Sequence, residues 1–80
     1  MAWLVSYIEI CPRILNEPLH VFTDKDKAII YIVNYLYERS TAEDRQTKAQ
    51  IDEFDNYIEY SLYTSQYGNI TLRLESVPFN

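Results

Sequence analysis

Two stretches near the end of the sequence alternate between apolar and polar residues with a period of two. This alternation is typical of β-strands with one buried face, and it predicts a hairpin over residues 57–75. A loop of residues 65–67 followed by Gly68 at positive φ would close the hairpin. Thr64 then pairs with Gly68, and Glu59 faces Arg73 on the water side of the sheet. The core-facing positions would be Ile58, Tyr60, Leu62, Ile70, Leu72 and Leu74.

The first ten residues predict a strand of a different kind. Residues 2–10 are mostly β-branched or aromatic on both faces, with Trp3, Val5 and Tyr7 on one of them, which is typical of a central strand. Pro12 ends this strand because proline has no backbone N–H to donate to a sheet. Residues 16–18 predict a turn, and the apolar residues 19–22 predict the second strand of a hairpin.

A helix is predicted over residues 24–39, where the apolar period changes to that of an α-helix. Thr23 and Asp26 have the spacing of a capping box at its beginning. Tyr31 and Tyr35 fall on the opposite side of the helix from its apolar stripe and, four residues apart, should be outward-facing neighbours. The stripe expected to face the core consists of Ile29, Ile32, Val33 and Leu36, with Ile30 and Tyr37 at its margin.

A second helix is predicted over residues 42–54, because Ser40 and Glu43 repeat the capping-box spacing. Only Ile51 and Phe54 would hold it to the rest of the protein, so it should be peripheral, and part of it could be loop. The 80 residues have room for a single core. The predicted fold is therefore one small α+β domain, residues 1–80, in the order β-β-α-α-β-β. A three- or four-stranded antiparallel sheet would carry one long packed helix and one peripheral helix.

The composition excludes most catalytic and cofactor chemistry. With one Cys, one His and one Gly, the chain cannot form a Cys/His metal cluster, a disulfide framework or a glycine-rich phosphate loop. We interpret Cys11 as a buried thiol and His20 as a structural or surface residue. We therefore expect no enzyme activity, no catalytic residues, no metal and no cofactor.

The chain also lacks the features of a membrane or secreted protein. Its longest apolar run, residues 28–33, is far shorter than the ~20 residues that a bilayer requires. Its first residues have no basic segment or cleavage site of a signal peptide. We therefore expect a protein of a reducing cytoplasm.

Acidic residues are concentrated in one quarter of the chain. The net charge is -5, and residues 41–60 hold six acidic against two basic residues. Such a patch repels nucleic acid and acidic membranes and attracts a basic protein surface. The simpler alternative is a solvated face that keeps the protein soluble. The candidate partner-binding acids are Asp52, Glu53, Asp55 and Glu59.

Tyrosine is the other unusual feature, at 8 of 80 residues. Exposed tyrosines are enriched in protein-binding surfaces because the ring gives a large contact area at low entropy cost. The predicted elements place Tyr31, Tyr35 and Tyr63 outward, so these are further candidate partner-binding residues. The alternative is that tyrosines cover a thin core while their hydroxyls stay in water.

Several short segments resemble small α+β proteins of phages and bacteria. They are residues 3–7 (WLVSY), residues 21–24 (VFTD) followed by Ala28 and residues 31–32, and residues 57–60 (YIEY). In size and acidity the chain also looks like phage-encoded anti-defence inhibitors, including anti-CRISPR proteins. That resemblance implies an inhibitor that occupies the basic surface of a host nuclease or CRISPR effector complex. It transfers no catalytic residue, and with 12 acidic residues the chain is only moderately acidic for a DNA mimic.

Two other functions fit the sequence. The chain could be a structural or regulatory subunit that forms a homodimer, because both faces of its first strand are apolar. It could also be an oligomeric sponge for nucleotide messengers, with tyrosines stacking on bases. That role needs cations for the phosphates, and Lys25, Lys27 and Arg39 are the only candidates in one region.

Overall fold

Five antiparallel strands form one sheet, and a single long helix packs on one of its faces. The computed structural model describes residues 1–9 and 15–78. The strand order is β2-β1-β5-β4-β3. This confirms the α+β class. The elements are β1 (Ala2–Glu9), β2 (Leu15–Phe22), α1 (Lys25–Glu38), a 3-10 turn (Asp44–Gln46), β3 (Gln50–Glu53), β4 (Tyr57–Thr64) and β5 (Gly68–Val77).

The predicted second helix over residues 42–54 is wrong, and so is the strand count of three or four. A single 3-10 turn forms after Glu43, and the chain then extends into β3 at the edge of the sheet. Ile51 lies opposite Tyr60 of β4 in that pairing. Because the segment has few apolar residues, a helix there would bury little surface, whereas β3 gains backbone hydrogen bonds from β4.

The core lies between α1 and one face of the sheet, which we call the helix face. Ala28, Ile32 and Leu36 of α1 are buried there against strand residues such as Val5 and Leu72. The opposite face, which includes Glu59, Arg73 and Tyr63, carries no helix in the described residues, and we call it the open face.

The helix is rotated relative to the predicted orientation. Ile32 and Leu36 face the core as expected, but Val33 is 55% exposed and does not. Tyr31 and Tyr35, predicted to point outward, are half-buried and pack against the core. The physical reason is the burial of these two large rings beside β2, which turns Val33 toward water.

The beginning of α1 also differs in detail from the prediction. Its N-cap is Asp24, whose carboxylate accepts a hydrogen bond of 2.8 Å from the backbone N–H of Asp26. Thr23 makes no such cap. An aspartate in this position satisfies one of the free N–H groups of the first turn, so the helix still begins where the sequence indicated.

The register of the β4–β5 hairpin is confirmed. Glu59 lies opposite Arg73, and Thr64 lies opposite Gly68, which has the expected positive φ of 73°. The hydroxyl of Thr64 accepts a hydrogen bond from the backbone N–H of Tyr67 and donates one to the carbonyl of Gly68. These bonds fix the three-residue loop and hence the pairing of the strands.

In the first hairpin, the predicted turn at residues 16–18 is wrong, because these residues belong to β2. Pro18 is accommodated because β2 is an edge strand and because the register shifts between Val5 and Ser6, at the position of the proline. The predicted end of β1 at Pro12 and the thiol of Cys11 lie outside the described residues, as do the last two residues of the predicted tail.

Candidate protein-binding groove

The helix covers only part of the helix face. It packs on β1, β2 and β5. On the other side of the helix, the sheet surface of β4 and β3 is covered among the described residues only by the segment between α1 and β3, whose 3-10 turn contacts β4 near Ser65. Ile58, Tyr60 and Leu62 of β4 and Ile51 of β3 lie on this surface, as their register with the buried Leu74, Leu72 and Ile70 requires.

An apolar groove of about 420 Å³ therefore runs between α1 and the β3–β4 side of the sheet. Three of its large apolar residues are more than half exposed: Val33 at 55%, Ile51 at 57% and Tyr37 at 59%. Contiguous apolar surface of this kind on a small protein is typical of a binding site. The principal lining residues are Ile29, Val33, Tyr37, Ile51, Tyr60 and Leu62.

The segment between α1 and β3 closes one end of this groove. The side chains and backbone N–H groups of Thr41 and Asp44 exchange hydrogen bonds of 2.9 and 3.1 Å, which hold the residues that lead into the 3-10 turn. Asp44 also accepts hydrogen bonds from the backbone and hydroxyl of Ser65, in the loop between β4 and β5. The hydrogen bond from the backbone N–H of Thr41 is the largest of the effects that lower the pKa of Asp44. The turn is thereby tied to the sheet.

Arg45 is held at this end by the same turn. Its guanidinium donates hydrogen bonds to the carbonyls of Ser40, at 2.6 Å, and Tyr37, at 3.2 Å. It also lies 4.0 Å above the centre of the Tyr37 ring. These contacts place a fixed positive charge at the end of the groove nearest the end of α1.

The other end of the groove has two acidic residues close to it and one basic residue, Lys25. There it adjoins a second depression of about 310 Å³, which we call the acidic cleft and which Glu53, Asp55 and Ile58 help to line. Because Ile58, Tyr60 and Leu62 follow one another on the same face of β4, the cleft and the groove lie in line along that strand. Glu53 lies opposite Ile58 on this face, and its charge contributes, after burial, to the raised pKa of Tyr60.

The turn between β3 and β4 shapes the acidic cleft. A backbone hydrogen bond of 2.8 Å from Phe54 to Tyr57 closes the turn, and the two rings stack with 4.7 Å between their centres. Across the cleft, the ammonium of Lys25 lies 5.1 Å from the centre of the Trp3 ring. The turn presents Asp55 to solvent, and Glu53, at the end of β3, is also exposed.

The four predicted acids do not form one surface. Asp52 and Glu59 lie opposite each other on the open face, whereas Glu53 lies on the helix face. Glu59 accepts two hydrogen bonds from Arg73, at 2.9 and 3.1 Å, so its charge is compensated. Among the described residues, Asp52, Glu53 and Asp55 form no ion pair. Of the four, only Glu53 and Asp55 line the acidic cleft.

The predicted tyrosines are also dispersed. Tyr31 packs between His20, Phe22 and Tyr35, with ring centres 5.4 to 6.3 Å apart. Tyr63 is 68% exposed and lies on the open face, on the other side of the sheet. Tyr31 and Tyr35 therefore belong mainly to the packing of α1 on β2.

The cations considered for a nucleotide site are separated as well. Lys25 begins α1, and Arg39 caps its end, where its guanidinium lies 3.6 Å from the centre of the Tyr35 ring. At 1.5 Å per residue, the two backbone positions are about 20 Å apart along the helix. They do not converge on one phosphate.

Sequence reasoning missed the groove residues Ile29, Val33, Tyr37 and Ile51 as a site. The signal was present in the helix, which has large apolar residues at six positions between 29 and 37 besides Tyr31 and Tyr35. One buried stripe cannot accommodate so many of them. A helix that is apolar around more than one face requires a second partner surface.

Within residues 1–9 and 15–78, no group of three or more His, Cys, Asp or Glu side chains could hold a metal ion. No helix in these ranges has both the length and the apolar character of a membrane span. Neither a protein-family model, nor a curated protein, nor a solved structure matches this chain.

Proposed function

We propose that this protein is a small binding module that recognises a protein partner with a basic and partly apolar surface. The apolar groove between α1 and the β3–β4 side of the sheet carries this proposal. Val33, Tyr37 and Ile51 there are more than half exposed to water, and their burial on a partner would stabilise a complex.

The charge of the molecule selects the kind of partner. At -5 the protein repels nucleic acid and other acidic surfaces. Glu53 and Asp55 stand beside the groove without a partner in an ion pair among the described residues. Basic residues on the partner would pair with them, and the electrostatic attraction would speed association.

We further propose that the partner is a nucleic-acid-binding complex in the cytoplasm, such as a host nuclease or CRISPR effector, and that the protein inhibits it. Binding over the basic surface of such a complex would exclude nucleic acid by occupying its site. The small size, the acidity and the resemblance to phage anti-defence inhibitors support this assignment. The proposed mode is protein contact through apolar and acidic residues together, without catalysis.

Site-specific crosslinking in cells that produce the protein tests this proposal. A photoreactive amino acid at Ile51, inside the groove, should capture a basic partner protein. The matched control is the same amino acid at Ile30, which is 58% exposed on α1 but does not line the groove. Capture from Ile30 as strong as from Ile51 would contradict a docking role for the groove.

The captured partner then gives the functional test. The protein should weaken the partner's binding of nucleic acid, and Glu53→Lys with Asp55→Lys should reduce that inhibition at least tenfold. The control is Glu17→Lys with Glu38→Lys, which makes the same change in net charge at exposed positions outside the groove and the cleft. Inhibition that falls equally in both double variants would reflect net charge alone.

A further inference from the structure

We infer that the groove receives an amphipathic α-helix of the partner, which lies beside α1 and carries basic residues at one end. This inference rests on the proposed binding function and names the kind of element that is bound. The helix would fill the space over β4 and β3 and complete the second layer of the fold.

The width of the uncovered sheet fits one helix. Neighbouring strands lie ~4.8 Å apart, so the axes of the five strands span about 19 Å. Helix α1 takes up about 10 Å of this width above β2, β1 and β5. The strip left above β4 and β3 is about 10 Å wide, which is the usual distance between packed helices.

The length of the groove fits two to three helical turns. Ile29, Val33 and Tyr37 of α1 are spaced four residues apart and span about 12 Å along one wall. Tyr60 and Leu62 of β4 form the floor, and Ile58, which lines the acidic cleft, extends the same face of the strand to about 14 Å from Leu62. A helix of eight to ten residues covers this distance and presents apolar side chains at positions i, i+3 or i+4, and i+7.

The charges at the two ends of the groove determine which end of the bound helix is basic and which end is acidic. Glu53 and Asp55 stand at the end near the beginning of α1, and Arg45 stands at the end near its last turn. A complementary helix has Lys or Arg where it meets Glu53 and Asp55. It has Asp or Glu where it meets Arg45.

Two other occupants fit less well. A single extended strand is about half as wide as the groove and could pair only with the four residues of β3. A second copy of this chain carries the same charge of -5 and would be repelled. The three groove residues that are more than half exposed, Val33, Tyr37 and Ile51, cannot alone supply the roughly 800 Å² that a stable dimer buries on each partner.

The test uses two display libraries of 14-residue segments, one held as an exposed helix and one as an exposed strand of a hairpin. Both libraries are screened for segments that bind the full chain, and the segments recovered in this way are the probes for the measurements below. We expect binders from the helical library, with apolar residues at i, i+3 or i+4, and i+7 and with Lys or Arg at one end. Ile51→Asp should weaken their binding at least tenfold, whereas Ile30→Asp, at an exposed isoleucine outside the groove, should change it less than twofold.

Charge reversal gives a second measurement on the same clones. Glu53→Lys with Asp55→Lys should weaken them at least fivefold, and the control pair Glu17→Lys with Glu38→Lys less than twofold. Recovery of binders only from the strand library would overturn the inference. So would helical binders that are insensitive to Ile51→Asp, or a dimer in sedimentation experiments that Ile51→Asp dissociates.

The two proposals fail in different ways. If crosslinking at Ile51 captures a partner through an extended segment or a sheet, the binding function stands and the helical occupant is wrong. If Ile51 captures no partner while the selected helices still bind the groove, the groove does accept a helix as inferred. In that case the proposed function is wrong.

Discussion

Adjacent residues of α1, Ile32 and Val33, should respond very differently to truncation to alanine. Ile32 is completely buried and Val33 is 55% exposed. Ile32→Ala removes three buried carbon atoms, which corresponds to about 2.4 kcal/mol of transfer free energy before the cavity is counted. With the cavity, we expect a loss of about 3 kcal/mol.

Val33→Ala removes two carbon atoms that are half in water already, at a cost of about 0.8 kcal/mol. The higher helix propensity of alanine offsets about 0.5 kcal/mol of that. The net change should therefore be within about 0.5 kcal/mol. Comparing the two variants isolates the effect of burial on the free energy of unfolding, because both substitutions fall in the same turn of the same helix.

Urea denaturation followed by circular dichroism measures both variants. A domain of 80 residues has a free energy of unfolding of about 4 to 12 kcal/mol, so Ile32→Ala should lower the urea midpoint strongly without changing the slope. The melting temperature should fall by about 12 to 24 °C, and by less than about 4 °C for Val33→Ala. If Val33→Ala destabilised the protein as much as Ile32→Ala, the described rotation of α1 would be wrong.

Four further measurements test individual contacts. Gly68→Ala should cost about 1 kcal/mol because of its positive φ alone, since an added Cβ meets no atom within 4 Å; a much larger loss in a thermal melt would indicate a clash. A double-mutant cycle on Glu59 and Arg73, which are only 18% and 24% exposed, should give a coupling of about 1 kcal/mol, and a value near zero would contradict the described pair. Hydrogen bonding lowers the pKa of Asp44 in the folded state, so its contribution to stability is present above the usual value of 3.8 and is lost as the pH falls through the lowered pKa. A carboxyl NMR titration should find that lowered pKa, and a normal or raised one would exclude these bonds. The buried hydroxyl of Ser6 has no hydrogen-bond partner among the described residues, so Ser6→Ala should raise stability by up to about 1 kcal/mol, and a loss would reveal a partner.

The features that the sequence predicted correctly are determined by local interactions. The register of β4 and β5 depends on a short loop, the positive φ of Gly68 and the alternation of apolar residues around them. The limits of α1 depend on Asp24 and on the residues of its last turn. Each of these features is determined by a few neighbouring residues, so it can be predicted from the amino-acid sequence alone.

The features that the prediction missed depend on contacts between distant segments. The rotation of α1 follows from the packing of Tyr31 on Phe22 and His20, which the helical period of α1 cannot reveal. Residues 50–53 form a strand because Ile51 pairs with Tyr60 of the neighbouring strand β4. These four residues are too few to show a clear alternation of apolar and polar positions. The groove is a result of both effects, and therefore only the structure defines it.

The pairing of β1 with β5 at the centre of the sheet has a consequence for how fast this protein folds. Ala2 lies opposite Val77, and Ile8 lies opposite Thr71, so nearly the whole chain separates the two strands. Each flanking hairpin pairs strands that are close in sequence and can form within microseconds, but joining the two hairpins requires closure of a long stretch of chain. Folding should therefore be slow for a chain of this size, in the range of milliseconds to seconds. During synthesis, β1 has no central neighbour until β5 has left the ribosome, so the sheet is completed only after translation of its last strand.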